Sequence, residues 1–436
     1  MKRTDNPFQR FVSLESTSSL LLFVAALVAL FWANSEFSAS YFSIWKTQVS
    51  LGVGNWSIDK PLILWINDGL MAVFFFVIGL EIKKEILAGE LSTIQKASLP
   101  IFAAVGGMVV PITLFLVLND NGVGKEGWGI PMATDIAFSL GILQLLGKRV
   151  PLSLKIFLTA FAIVDDLGAV LVITFFYSTS ILWIYLIVAF GILLLLFVAN
   201  YLNINHKWTY ILGGIGVWYL FLKSGIHPTI AGVLLAFTIP GNRKIEVGTF
   251  QRLLRIEIDN LTCTFKKKTQ FLTKPQRVSL ETIETLTQQA QPMLQHFETR
   301  LHGFVAFVIM PIFALANAGV ELFPASNSAS GFTPLSLHLA EAMLFGKVLG
   351  ISLFSWLAIK MGFSSLPSGV NFKQIIGVSI LGGFGFTMAL FIESLAYTDP
   401  DIITSGKIGI LVGSLFAGIL GYIFLRVTLT KELKRA

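Results

Sequence analysis

The chain has 436 residues, 54% of them hydrophobic and only 13% charged, with a net charge of +7. Soluble domains average roughly 25% charged residues, so a chain with so few charges and 38 Phe cannot cover a water-soluble surface with polar groups. The basic excess does not point to nucleic acid either, because Lys and Arg are spaced between apolar runs, as membrane topology requires.

A hydrocarbon core of ~30 Å needs about 20 helical residues to cross it. Twelve apolar runs answer that need, at about 18–34, 61–82, 98–118, 132–146, 152–176, 181–201, 207–223, 226–240, 303–320, 338–360, 373–394 and 406–428. Lys2, Arg3 and Arg10 precede the first run and small residues follow it at Ser38–Ser40, as in secretory signals, but a retained first helix is the expectation. Residues 46–60 are too polar to span, and their alternation around Gly52-Val53-Gly54 predicts a small external β-hairpin. The fourth run is interrupted by Pro131 and the polar pair Thr134-Asp135.

Residues 241–302, between the eighth and ninth runs, form a large polar segment expected on the cytoplasmic side. It carries Lys266-Lys267-Lys268 and a stretch with Leu280, Ile283, Leu286, Met293, Leu294, Phe297 and Leu301, in which Pro292 forbids one uninterrupted helix. Two readings stand side by side, a module touching anionic headgroups and a solvated linker. The eleventh run places Gly382, Gly383 and Gly385 at mid-span. Each Gly costs about 1 kcal/mol relative to Ala in a helix interior, so three together invite local unwinding. Around the two breaks, A-F-S-L-G-I-L (137–143) and G-F-T-M-A-L-F (385–391) match in residue class at every position. One cysteine, Cys263, excludes an internal disulfide framework, and the five His show no metal-ligand spacing.

With the N-terminus inside, 26 of the 32 Lys and Arg fall on the inner side. Five (Lys46, Lys60, Lys125, Lys223 and Lys407) fall outside, and Lys347 lies within a span. Leaving out 241–302 still gives 16 against 5, so the positive-inside rule puts both termini in the cytoplasm.

Ionisable residues deep in an apolar span cost several kcal/mol and mark transport or proton paths by default. Four stand out: Asp135, Asp165, Asp166 and Lys347. A purely structural ion-pair network would balance its charges, whereas three acids against one base leave two negative charges over. Adjacent helical residues point about 100° apart, so Asp165 and Asp166 cannot both face one partner. One carboxylate is expected to pair with Lys347 and the other to line a water-filled cavity. Nearby carboxylates in a partly desolvated place resist being ionised together, so the site holds either protons or a small hard cation bound through oxygens. Crossed broken helices also bring like partial charges together. Asp135 suits their N-terminal ends and Lys347 their C-terminal ends.

Seven motifs, in order, resemble the NhaA sodium/proton antiporters over nearly the whole chain. They are NDGLMAVFFFVIGLEIKKE (67–85), IPMATDIAFSLG (130–141), IVDDLGAV (163–170), HPTIAGV (227–233), PIFALANAGV (311–320), LFGKVLGI (344–351) and GGFGFTMALFI (382–392). Paired interrupted spans in two halves point to a transporter site, and the NhaA fold is itself a known example of that construction. The resemblance implies an all-α polytopic membrane protein of about twelve spans and one transporter domain (1–436). It implies an inverted-repeat fold in which the fourth and eleventh helices are broken and crossed.

By the same resemblance Asp166 is the principal cation and proton ligand, and Asp165 is the partner of Lys347. Thr134 and Asp135 are the polar residues at the fourth-helix break. Glu81, Lys84 and Glu85 lie in the stretch tied to pH response, with His227, Glu298 and His302 at matching regions, and Asp68 matches an acid towards the outer funnel. The segment 241–302 looks longer than in compact members, and Thr299 and Arg300 upstream of His302 do not repeat a His-rich pattern.

The expected activity is electrogenic, pH-regulated exchange of Na+, and Li+, for H+ in a bacterial inner membrane. No cofactor and no enzymatic activity are expected. Partners are the ions, membrane lipids including anionic ones, and a second copy of the chain. A sodium-coupled organic-solute symporter is the alternative, though it would need a larger polar site. Intramembrane proteolysis has little support, since Gly-x-Gly-Asp is absent and SASG (328–331) is a loop look-alike of a serine-protease motif.

Overall fold

A computed structural model describes residues 7–53, 56–120, 122–178, 181–202, 204–263, 272–322 and 332–433. Lys2, Arg3, the Lys266-Lys267-Lys268 run and SASG (328–331) lie outside them. The chain opens with α1 (Pro7–Ala33) and α2 (Ser38–Lys46), then β1 (Gln48–Val53) and β2 (Trp56–Pro61). There follow α3 (Leu62–Ala88), α4 (Ile94–Leu118), a 3-10 segment (Lys125–Met132) and α5 (Ile136–Leu145). Next come α6 (Leu152–Phe176), α7 (Trp183–Tyr201), α8 (Lys207–Ser224) and α9 (Thr229–Thr238). The polar segment forms α10 (Val247–Cys263) and α11 (Lys274–Ala290). The chain closes with α12 (Met293–Asn317), α13 (Pro334–Lys360), α14 (Phe372–Gly382), α15 (Phe386–Ala396) and α16 (Pro400–Leu433).

Among the described residues seven helices are long and apolar enough to cross a membrane, or nine if each bent pair counts as one span. One bent pair is α14 with α15, at 43°. The other joins Thr17–Ala33 to α2 at 113°, so α2 turns away rather than prolonging the first span. Of the twelve runs expected from sequence, those at 132–146, 207–223 and 226–240 fall outside these nine. They are helical, but α5 and α9 have 10 residues each and α8 carries Lys207 and Lys223 at its ends. Helix α7 is apolar all round and exposes Ile184, Ile187, Leu194, Leu195 and Phe197, as a lipid-facing span does.

The hairpin pairs antiparallel from Gln48↔Pro61 to Val53↔Trp56, where the alternation placed it. Its tip residues 54 and 55 are outside the described residues. Pro292 interrupts helix formation as its ring demands, leaving Gln291 and Pro292 between α11 and α12.

Small residues bring two helix pairs close. A Cβ on Gly106 of α4 would meet the Gly350 carbonyl of α13, a Cβ on Gly350 would meet the Gly106 carbonyl, and one on Gly346 would meet Pro111. The contact holds α13 at the depth that buries Lys347. Gly79 of α3 packs on Val233 and Ala236 of α9, and Gly232 on the Ala72 carbonyl. Between the centre and the hairpin end, Phe391 meets Phe75 and Phe313 at ring separations of 5.5 and 6.2 Å. His227 joins these rings, 5.3 Å from Phe391.

Candidate functional site at the crossed helix breaks

The two breaks meet in the interior of the protein, where Thr134 and Asp135 are each 1% exposed. After the 3-10 segment, Ala133 and Asp135 are extended (φ/ψ −69°/143° and −98°/103°) and α5 begins. Between α14 and α15 stand Gly383, Phe384 and Gly385. The strands of backbone bond to each other: Asp135 N–H donates to the Phe384 carbonyl at 2.7 Å, and the Thr134 hydroxyl to the Gly382 carbonyl at 2.9 Å. Ser139 donates to the Leu381 carbonyl at 3.0 Å. A side chain on Gly385 would approach the Ala133 carbonyl to 2.8 Å, so the crossing requires glycine there.

Asp135 faces both N-terminal ends. One carboxylate oxygen accepts from the Phe138 N–H at 3.3 Å, capping α5. The other accepts from the Thr387 N–H at 3.1 Å and from the Thr387 hydroxyl, at the start of α15. A carboxylate at these ends satisfies unpaired N–H groups and complements their positive partial charge. Thr387 was not singled out from sequence. The signal was available, because Thr387 is the counterpart of Ser139 in the seven-residue likeness between the breaks.

On α6, Asp165 and Asp166 are each only 2% exposed. Asp165 accepts from the Lys347 ammonium at 2.8 Å, and that ammonium also donates to the Thr134 hydroxyl at 2.8 Å. Lys347 is fully buried and reaches the C-terminal end of α14 only through Thr134, which bonds the Gly382 carbonyl. Asp166, turned away by one residue, has no hydrogen-bond partner among the described residues. It lines a pocket of about 670 Å³ of atom-free space, open solvent at its mouth included, with Thr134, Asp135, Thr387, Glu81 and His302. The carboxylates therefore divide as the 100° geometry required, one tied to the lysine and the other on the cavity.

Four of the six pH-response candidates cluster at the end of the molecule away from the hairpin. His302 approaches Glu81 at 3.4 Å, and Lys84 pairs with Glu298 at 2.7 Å. Glu85, on the same stretch of α3, accepts from the Glu90 N–H at 2.8 Å and closes the helix end. The structure does not bring His227 to this group. Its Nε2 stands 3.5 Å from Asp68 at the hairpin end, where Lys60 of β2 also bonds Asp68 at 2.7 Å. A single residue type at a matching position does not reveal which end of a helix it occupies.

Comparison with known proteins bears on this arrangement as a whole. The family model described as Na+/H+ antiporter 1 matches residues 9–425, taking in both breaks, the paired aspartates and Lys347. This chain belongs to the Na+/H+ antiporter 1 family. It is 47% identical to a Na(+)/H(+) antiporter NhaA of Oleidesulfovibrio alaskensis over 97% of this chain and 94% of that protein. It is 44% identical to an NhaA of Phocaeicola vulgatus (98% and 96% covered) and 45% identical to an NhaA 1 of Saccharophagus degradans (96% and 91%). The family match extends past 241–302, so α10 and α11 lie within its span.

Proposed function

We propose that the chain exchanges Na+, and Li+, for H+ through competition at a site centred on Asp166. The observation that carries the reading is the contrast within one pair. Asp165 is held by Lys347, whereas the neighbouring Asp166 carboxylate lies on the open pocket with no bonded partner. A carboxylate freed of protein partners can take either a proton or a cation, and the pocket offers a hard cation the oxygens of Asp166, Asp135, Thr134 and Thr387.

In this mechanism Na+ enters past Glu81 and His302, displaces the proton at Asp166 and draws Asp165 away from Lys347. Asp135 and Lys347 compensate the helix ends while α5 and α15 shift. Asp166 releases one proton and the Lys347 ammonium, once Asp165 has left it, releases a second, so two protons leave per Na+ and the cycle is electrogenic. The Glu81–His302 and Lys84–Glu298 contacts stand at the mouth and form the pH-responsive part. Both termini face the cytoplasm of a bacterial plasma membrane, α10 and α11 lie at its inner surface beside anionic lipids, and a second copy of the chain is the remaining partner. The Asp68–Lys60–His227 group belongs to the outer funnel.

Proteoliposomes containing only this protein test the reading. An outward sodium gradient drives protons inward, with a rate that depends on pH. Sodium flux coupled instead to an organic solute, with no proton counterflow, favours a symporter and rejects this proposal.

A further inference from the structure

A further acid, more deeply buried than any of those described so far, lies outside the site. Glu393 sits on α15, six residues beyond Thr387 towards the hairpin end, and is 0% exposed. Neither of its carboxylate oxygens has a hydrogen-bond partner among the described residues. The charged group acting on it is Lys407 of α16. Lys407 is half-buried and directs its ammonium to the Gly319 carbonyl at 3.5 Å instead of to the acid. Just past the end of α15 stands Tyr397, whose hydroxyl donates to the Gly124 carbonyl at 2.8 Å, with Tyr177 and Glu126 beyond it. The missing side chain at Gly406 leaves the carboxyl against the α16 backbone, since a Cβ there would lie 3.2 Å from Glu393 Cγ.

An ionised carboxylate with no hydrogen bond in such a place is costly, and two arrangements avoid the cost. The acid holds a proton, or Lys407 closes onto it. The second is not the arrangement seen. Helix α15 also carries Thr387, which is bonded to Asp135, so rearrangement at the crossed breaks moves Glu393 relative to α16. This step rests on the exchange mechanism proposed above.

We propose that Glu393 is a second proton site, protonated in this conformation and ionised onto Lys407 in the conformation that opens the hairpin end. On that change the carboxyl O–H breaks, one proton leaves to the hairpin side, and the carboxylate gains the Lys407 ammonium, which keeps its own protons. The proton returns to the side it left, so it adds nothing to the exchanged ions. It biases the balance between conformations: acid on the hairpin side favours the closed hairpin end, and loss of the proton favours its opening.

The direct test is infrared spectroscopy of the purified, sodium-free protein near neutral pH. The difference between parent and Glu393→Gln shows a protonated-carboxyl stretch, and Lys407→Gln, which leaves the acid in place, retains that band. Superimposable parent and Glu393→Gln spectra, or loss of the band in Lys407→Gln, overturn the proposal. This readout does not depend on transport, so it survives if exchange itself is disproved. In proteoliposomes each single variant loses about tenfold in turnover, a typical coupling magnitude. The double variant is no slower than either single, and apparent sodium affinity from the pocket side stays within about threefold. Unchanged turnover, or losses that multiply in the double variant, contradict a state-dependent pair.

Discussion

Replacing Asp165 by Asn isolates what the buried ion pair does. Lys347 is fully enclosed, and its ammonium has two partners, Asp165 and Thr134, both at 2.8 Å. The amide keeps an oxygen near the ammonium but removes its counter-charge. Breaking one side of a buried pair typically costs 3–5 kcal/mol, roughly, because the remaining charge stays desolvated. An independent ceiling comes from letting the lysine shed its proton. From a reference pKa of about 10.4, that costs roughly 5 kcal/mol at pH 7, at about 1.36 kcal/mol per unit. The two figures agree, so the variant is expected to lose about 3–5 kcal/mol. Because deprotonation becomes easier as pH rises, the deficit shrinks by up to ~1.4 kcal/mol per pH unit. Thermal melting in detergent across pH 6 to 9 measures this, with Asp166→Asn as the control of equal shape and no broken pair. An Asp165→Asn protein that melts with the Asp166→Asn control at every pH would refute the assignment of the pair.

Electrogenic exchange predicts that an inside-negative potential imposed on proteoliposomes accelerates proton uptake and an inside-positive one slows it, and a rate indifferent to the clamped potential rejects it. Gly350→Val is expected to lower both melting temperature and exchange, since its Cβ alone meets the Gly106 carbonyl and lies 3.0 Å from Val110, while Lys347 is three residues away on the same helix. Overpacking of this kind costs about 1–3 kcal/mol or more. Gly216→Ala, whose nearest neighbour is 3.8 Å away, serves as the tolerated comparison. Replacing residues 260–290 by a flexible linker should leave exchange intact and shift its pH dependence or lipid preference. A folded deletion protein that carries no ions places the segment in the transport machinery.

The parts of the site that follow from residue type and helical period were legible in the sequence. Pro131 and the three glycines at 382, 383 and 385 mark the breaks, and the 100° step separated Asp165 from Asp166 before any contact was known. The alternation at 46–60 gave the hairpin. Thr387 escaped because its importance lies in a contact made across 252 residues, which no local pattern announces, though its likeness to Ser139 was a clue. Glu393 escaped because it closes the apolar run 373–394, where an acid reads as a solvated span end. In the fold it is shut between α15 and α16. His227 was grouped with Glu81 and His302 by resemblance, yet its place at the start of α9 puts it beside Asp68 at the other end. Helices α10 and α11 were passed over because 241–302 reads as one polar segment, although Phe250, Leu253, Leu254 and Leu261, and then Leu280, Ile283 and Leu286, recur at helical spacing.

Competition of sodium and protons at Asp166 is what the exchange turns on. The decisive measurement is proton release on adding sodium to the purified protein, read with a pH indicator in weak buffer, for the parent and for Asp166→Asn. The parent is expected to release protons and the variant none, while the variant folds and melts no lower than the parent. In the parent, apparent sodium affinity improves by up to roughly tenfold per pH unit for each competing proton while the site is still protonated. Sodium-induced proton release that persists in folded Asp166→Asn, or a parent affinity independent of pH, contradicts competition at Asp166.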